Sequence, residues 1–240
     1  VPLAVDYFLG YTMEKTTLGP MGKQMMRRIP IFDFEVLWHH LTWVYKLGTI
    51  TLSFITIVAV TGEYRERTIR QNIIDGLSRN QFLLSKLYMV LSLALFVTVA
   101  TFLIGLMTGL AWSRTQGLSA VMKNIHYLGY YFLYVFSFLL FSLTLAMVVK
   151  RSGAAIGILM FYLFLIEPIV TSILTYGMNM EWLSNLFPMN GTGNLLRNPF
   201  SRYLLREKQA ELAQTALMVT TVYIGIYLTI TSYLIRRRDI

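Results

Sequence analysis

A chain of 240 residues that is 55% hydrophobic and only 14% charged, with a mean hydropathy of +0.56, is excluded from the ordinary soluble domains, in which about a quarter of residues carry charge. The absence of cysteine excludes a disulfide scaffold and any thiolate metal site. The net charge of +9 comes without a basic helix or an aromatic platform, so it fits membrane topology and anionic headgroups rather than nucleic acid.

The charges collect between long apolar stretches, as a bilayer dictates when about 20 apolar residues are needed to cross its core as a helix. The opening VPLAVDYFLGY is apolar but too short to span, and it lacks the basic flank of a signal peptide. It reads as the exit end of a truncated first membrane helix over residues 1–12. Full-length apolar segments follow at about 41–62, 87–113, 127–149, 153–175 and 213–235, which makes about six spans. The expected fold is all-α, a polytopic transmembrane helix bundle forming a single domain over residues 1–240. Within the five full segments only Lys46 and Glu167 carry charge. Lys46 lies near enough to a helix end to snorkel to the interface.

Between these segments, connections 63–86, 150–152 and 236–240 hold ten Lys and Arg in 32 residues, among them Lys86, Lys150, Arg151 and Arg236 to Arg238. The opposite set, 13–40, 114–126 and 176–212, holds ten in 78 residues. The denser set, abutting the spans, is expected in the cytoplasm together with the C-terminus. On the outer side, 13–40 carries Lys23, Arg27 and Arg28 before FDFEVLWHH, and 176–212 carries Trp182 and a Gly191–Gly193 turn.

The connection 63–86 has internal order. Ile69, Ile73, Ile74 and Leu77 recur at helical spacing opposite Arg65, Arg67 and Arg70. Gly76 is a natural stop for this short amphipathic helix, and Ser78 with Gln81 forms a capping box that starts the helix leading into the next span.

Glu167 stands out because a carboxylate deep in a span costs on the order of 2.5–3.5 kcal/mol and therefore faces protein or water. Pro168 follows it and removes a backbone donor, which frees the Phe164 carbonyl and favours a kink. The pair is either a pathway element, binding substrate or protons or serving as a gate hinge, or a hydrogen-bonded bridge between spans. Gly105/Gly109 and Gly153/Gly157 have the small-xxx-small spacing of close helix packing. His39 and His40, beside Trp38 and Trp43, read as interfacial anchors; with His126 the only other histidine, no metal-ligand set is in view. The chain has no phosphate loop of the GxxxxGK[ST] type, no complete GxGxxG and no GxSxG, so neither ATP binding nor catalysis by this chain alone is expected.

The stretch TGEYRERTIRQNIIDGLSRNQFLLSKL resembles the cytoplasmic loop of ABC-2-type transporter permeases, particularly those of Bacteroidetes-like bacteria, and PIFDFEVLWHHLTWVYK resembles the segment before their second span. The likeness is specific over residues 30–86 and architectural beyond them. The family's amphipathic elbow and most of its first span have no counterpart in residues 1–12. The resemblance implies a permease dimer, of identical or homologous subunits, above two cytoplasmic ATP-binding subunits that hold the ATP and magnesium; this chain would carry no cofactor. It also implies that the helix between the second and third spans couples to those subunits. Glu63, Arg65, Arg67, Thr68, Arg70, Asp75 and Gly76 would form that contact, and Glu167 with Pro168 would belong to the pathway. Membrane lipids are the other expected partners. The expectation is an exporter subunit in a bacterial inner membrane. The alternatives are a non-transporting scaffold subunit of a larger complex or a stand-alone intramembrane enzyme.

Overall fold

The computed structural model describes residues 33–66, 76, 78–113, 117–199 and 210–237. Residues 1–12 and the loop residues Arg67, Thr68, Arg70 and Asp75 lie outside them. The described residues form helices α1 (Phe34–Tyr45), α2 (Gly48–Arg65), α3 (Arg79–Trp112), α4 (Leu118–Met122) and α5 (His126–Val149). They continue with α6 (Ser152–Gly177), α7 (Glu181–Ser184), α8 (Pro188–Gly193, extended by a 3-10 turn through Leu196) and α9 (Ala210–Arg237). No strand occurs among the described residues.

Four helical stretches are long and apolar enough to cross a membrane, and the bent pair α1 and α2 supplies a fifth if counted as one span. The chain is a membrane-embedded helical protein. The pair α1–α2 bends by 43° around Lys46 and Leu47. There the regular backbone ladder tightens, with Leu47 N–H donating to Val44 O and Thr49 N–H to Lys46 O, just before Gly48.

The helix α5 is the hub. Of its most apolar stretch, 61% is buried inside the protein, against 17% for α6. It packs against α2, α3 and α9 through Tyr131, Val135, Leu139, Leu143 and Met147. Lipid tails compete for apolar side chains on equal terms, so this burial works through close packing more than through escape from water. Several hydroxyls inside the bundle are satisfied within it. Thr56, Thr61, Thr101 and Ser142 each donate a hydroxyl to the carbonyl four residues back, and Thr144 meets Thr231 across α5 and α9 at 3.0 Å.

The two glycine pairs behave differently. A Cβ on Gly105 would overlap the Trp38 ring, and one on Gly109 would overlap Phe34, so both glycines let α1 lie against α3. A Cβ on Gly153 or Gly157 would meet nothing within 4 Å. Trp38, beside His39 and His40 in the sequence, turns into the contact at Gly105. It is fully buried, its Nε1 donates to Val121 O at 2.8 Å, and it stacks on Phe102. The glycine faces opposite give it room to turn inward.

Candidate functional site

The two charged residues inside the spans converge on one short helix. Glu167, 3% exposed, accepts at Oε1 from the backbone N–H groups of Met189 (2.8 Å) and Asn190 (2.6 Å), in the first turn of α8. These N–H groups have no partner within their own helix, and an anion at a helix N-terminus is favoured. Lys46 donates from Nζ to Gly193 O at 3.1 Å, at the far end of the same helix, and lies 5.0 Å from the Tyr134 ring centroid. A cation at the carbonyl end is likewise favoured. The bend between α1 and α2 carries Lys46 to the Gly193 carbonyl.

Residues 181–196 form a folded segment rather than an open turn. Gly191, expected in a turn, is helical, and a Cβ there would press on Asn185 O and Val219. Asn190 Nδ2 donates to Ser184 O and Oγ, Asn194 Nδ2 donates to Asn185 Oδ1, and Tyr223 on α9 donates its hydroxyl to Leu186 O. Leu195 and Leu196 bury against the bundle. Beside this segment a polar cavity of about 550 Å³ is lined by Thr171, Thr175, Glu181, Asn185, Asn190 and Arg197.

Around Glu167, α6 is irregular. It widens into π-helical turns at Tyr162–Ile166 and Ile173–Gly177. Pro168 follows the first of these, where the Glu167 N–H reaches back to Tyr162 O, so the helix passes its proline by widening rather than by stopping.

At the other end, Glu63 on α2 forms an ion pair with Lys86 on α3, where Lys86 is buried and lies 5.0 Å from the Phe82 ring centroid. This pair fastens the two helices at the foot of the loop 63–86. Arg65 is exposed and pairs with Glu66. Gly76 adopts φ +99°, a conformation that favours glycine. The capping box forms as read from the sequence: Gln81 N–H donates to Ser78 Oγ (3.2 Å) and Ser78 N–H donates to Gln81 Oε1 (2.8 Å). The structure thus separates the residues singled out in the sequence into a foot, with Glu63, Arg65 and Gly76, and a distant clamp around Glu167. Lys86 and Lys46 complete these two arrangements, and their intrusion into apolar surroundings was the available signal for both.

The histidines make separate contacts. His39 Nε2 donates to Arg197 O at 2.9 Å and its ring stacks on Tyr127, while His40 Nδ1 donates to Val36 O at 2.7 Å. His126 lies against Tyr127 and Tyr130. Among the described residues no three His, Cys, Asp or Glu side chains converge in a metal-binding arrangement.

The fold and the two charge arrangements define a polytopic helical membrane protein in which, among the described residues, the Glu167 carboxylate and the Lys46 ammonium, both set in apolar stretches, are committed to the folded segment 181–196. Residues 21–240 match the family described as protein of unknown function (DUF2705), and the chain belongs to it. A comparison with curated proteins gave no match.

Proposed function

We propose that this chain is the membrane-spanning permease subunit of an ATP-driven exporter of the ABC-2 type, with ATP hydrolysis supplied by separate subunits. The observation that carries the reading is the foot. A loop that resembles an ABC-2 coupling segment joins α2 to α3, and Glu63 in the last turn of α2 and Lys86 in the second turn of α3 hold each other. A push on the loop would therefore move α2 and α3 as one body, and through α5, which packs on both, the rest of the bundle.

On this reading two cytoplasmic ATP-binding subunits, carrying ATP and magnesium, meet Glu63 to Gly76, with Arg65, Arg67, Thr68, Arg70 and Asp75 setting register. Charges at such a contact govern orientation more than affinity. A second permease subunit, identical or homologous, completes the pathway. The protein lies in a bacterial inner membrane with the Lys- and Arg-dense ends and the C-terminus in the cytoplasm. Glu167 and Pro168 contribute to the pathway through the position of α8.

The test is gentle detergent extraction of the complex followed by mass spectrometry, comparing the parent with an Arg67→Glu/Arg70→Glu variant. An ATP-binding subunit that co-purifies with the parent and is released by the charge reversal supports the reading. No ATP-binding subunit with either form, across several detergents, overturns it in favour of a scaffold role.

A further inference from the structure

We infer that the cleft between the end of α2 and the start of α6 is a binding site for the phosphate headgroup of an anionic membrane lipid. This inference needs only that α2 and α6 cross a bilayer; it does not rest on the transporter reading.

The cleft has a volume of about 510 Å³ and is lined by Arg65, Lys150 and Arg151 together with Gly62, Ser152 and Gly153. Three cations line it, and no carboxylate does among the described residues. Glu63, on the last turn of α2, is engaged with Lys86, and Glu66 pairs with Arg65, whereas Lys150 and Arg151 form no ion pair among the described residues. A concentration of like charge is unfavourable unless an anion shares the space.

The backbone adds two features. Lys150 sits in the left-handed conformation, φ +58° and ψ 9°, its N–H held by Ala146 O and its ammonium 5.1 Å from the Tyr64 ring centroid. Glycine would occupy this position without strain, so a lysine here spends conformational energy to keep a charge at the cleft. The first turn of α6 begins at the cleft wall, and its N-cap Arg151 provides no side-chain acceptor for the turn's N–H groups. Backbone donors and guanidinium groups together match a phosphate.

The wall above the cleft identifies the source of that phosphate. Val58 lines the cleft, and Ile55 stands one turn further along α2; both are about half exposed. On α6, Ala154 lines the cleft and Ile158 and Phe161, four and seven residues on, continue the same helical face and are about half exposed. A charged cup that opens on an apolar strip fits a headgroup with its acyl chains attached. A free phosphate would use the cup only.

Two substitutions can alter the cleft without disturbing the bundle. Lys150→Gly removes the charge and relieves the backbone. Gly153→Leu fills the cleft, since a Cβ there meets nothing within 4 Å. Native mass spectrometry of the full chain in detergent, titrated with phosphatidylglycerol or phosphatidylcholine, reads the site directly. The expected result is saturable binding of one phosphatidylglycerol in preference to phosphatidylcholine. Lys150→Gly should weaken it about tenfold, the effect of one lost charged contact, and Gly153→Leu by at least as much through occupying the cleft, while the melting temperature of Lys150→Gly holds or rises. Equal binding of the two lipids, or undiminished phosphatidylglycerol binding by both variants, would overturn the inference. Complete displacement of phosphatidylglycerol by an equal concentration of inorganic phosphate would overturn the lipid as the source.

Discussion

The two places where charge enters the bundle solve one problem in different ways. At the foot, Glu63 and Lys86 meet directly and stitch span to span. Away from the foot, Glu167 and Lys46 stand at opposite ends of α8, and each is answered by backbone groups of that helix. In the first arrangement each charge is the other's partner, so losing one strands the other. In the second, losing a charge strands amides or a carbonyl. A direct pair fixes two helices relative to each other, whereas the mediated arrangement fixes a short folded segment between helices that are already packed.

The largest expected effect breaks the mediated side. Glu167→Ala leaves the Met189 and Asn190 N–H groups without their acceptor in a buried place, which should cost about 3 kcal/mol of stability. Glu167→Gln retains an acceptor oxygen and should recover more than half of that. Thermal unfolding in detergent checks both, and an unaltered melting point for Glu167→Ala would sink the anchoring role. The comparison sharpens with two double-mutant cycles. Glu63→Gln and Lys86→Met should show a coupling of about 1–2 kcal/mol, because the two side chains touch. Glu167→Gln and Lys46→Met should couple by less than about 0.5 kcal/mol. Equal couplings would mean that α8 transmits the loss of one end to the other. Lys46→Met alone removes a single charged donor from Gly193 O and should cost about 1 kcal/mol, read by the same unfolding measurement.

What was legible in the sequence follows from the range of each interaction. Hydropathy locates α3, α5, α6 and α9 because a spanning helix must be apolar along its own length. The Ser78–Gln81 box was legible because both partners lie within one turn. Lys46 and Glu167 were conspicuous as charges in apolar stretches, yet their partners lie 147 and 22 residues away, and no local pattern names a backbone amide as the answer to a carboxylate. The same limit applied to Trp38, which by type suits an interface. Its burial depends on Gly105 of a different helix being small enough to receive it. The glycine spacing signalled close packing for two pairs alike, but among the described residues only the pair facing aromatic side chains has a neighbour.

The smallest expected effect lies back at the foot and compares the two kinds of helix cap. The N-terminus of α3 is capped by Ser78, a residue of its own sequence, in exposed surroundings. The N-terminus of α8 is capped from another helix, by the buried carboxylate of Glu167. Water can replace the Ser78 hydroxyl once it is gone, so Ser78→Ala should cost only about 0.5–1 kcal/mol. Water has poorer access to the amides beside Glu167. The ratio of the Glu167→Ala loss to the Ser78→Ala loss therefore measures how far burial, rather than the hydrogen bond itself, sets the strength of a cap. A ratio of about three or more in unfolding measurements on the same preparation is the expected result. A ratio near one would mean that the segment 181–196 is as open to water as the foot, and α8 would then be held by Leu195 and Leu196 rather than by the charges at its ends.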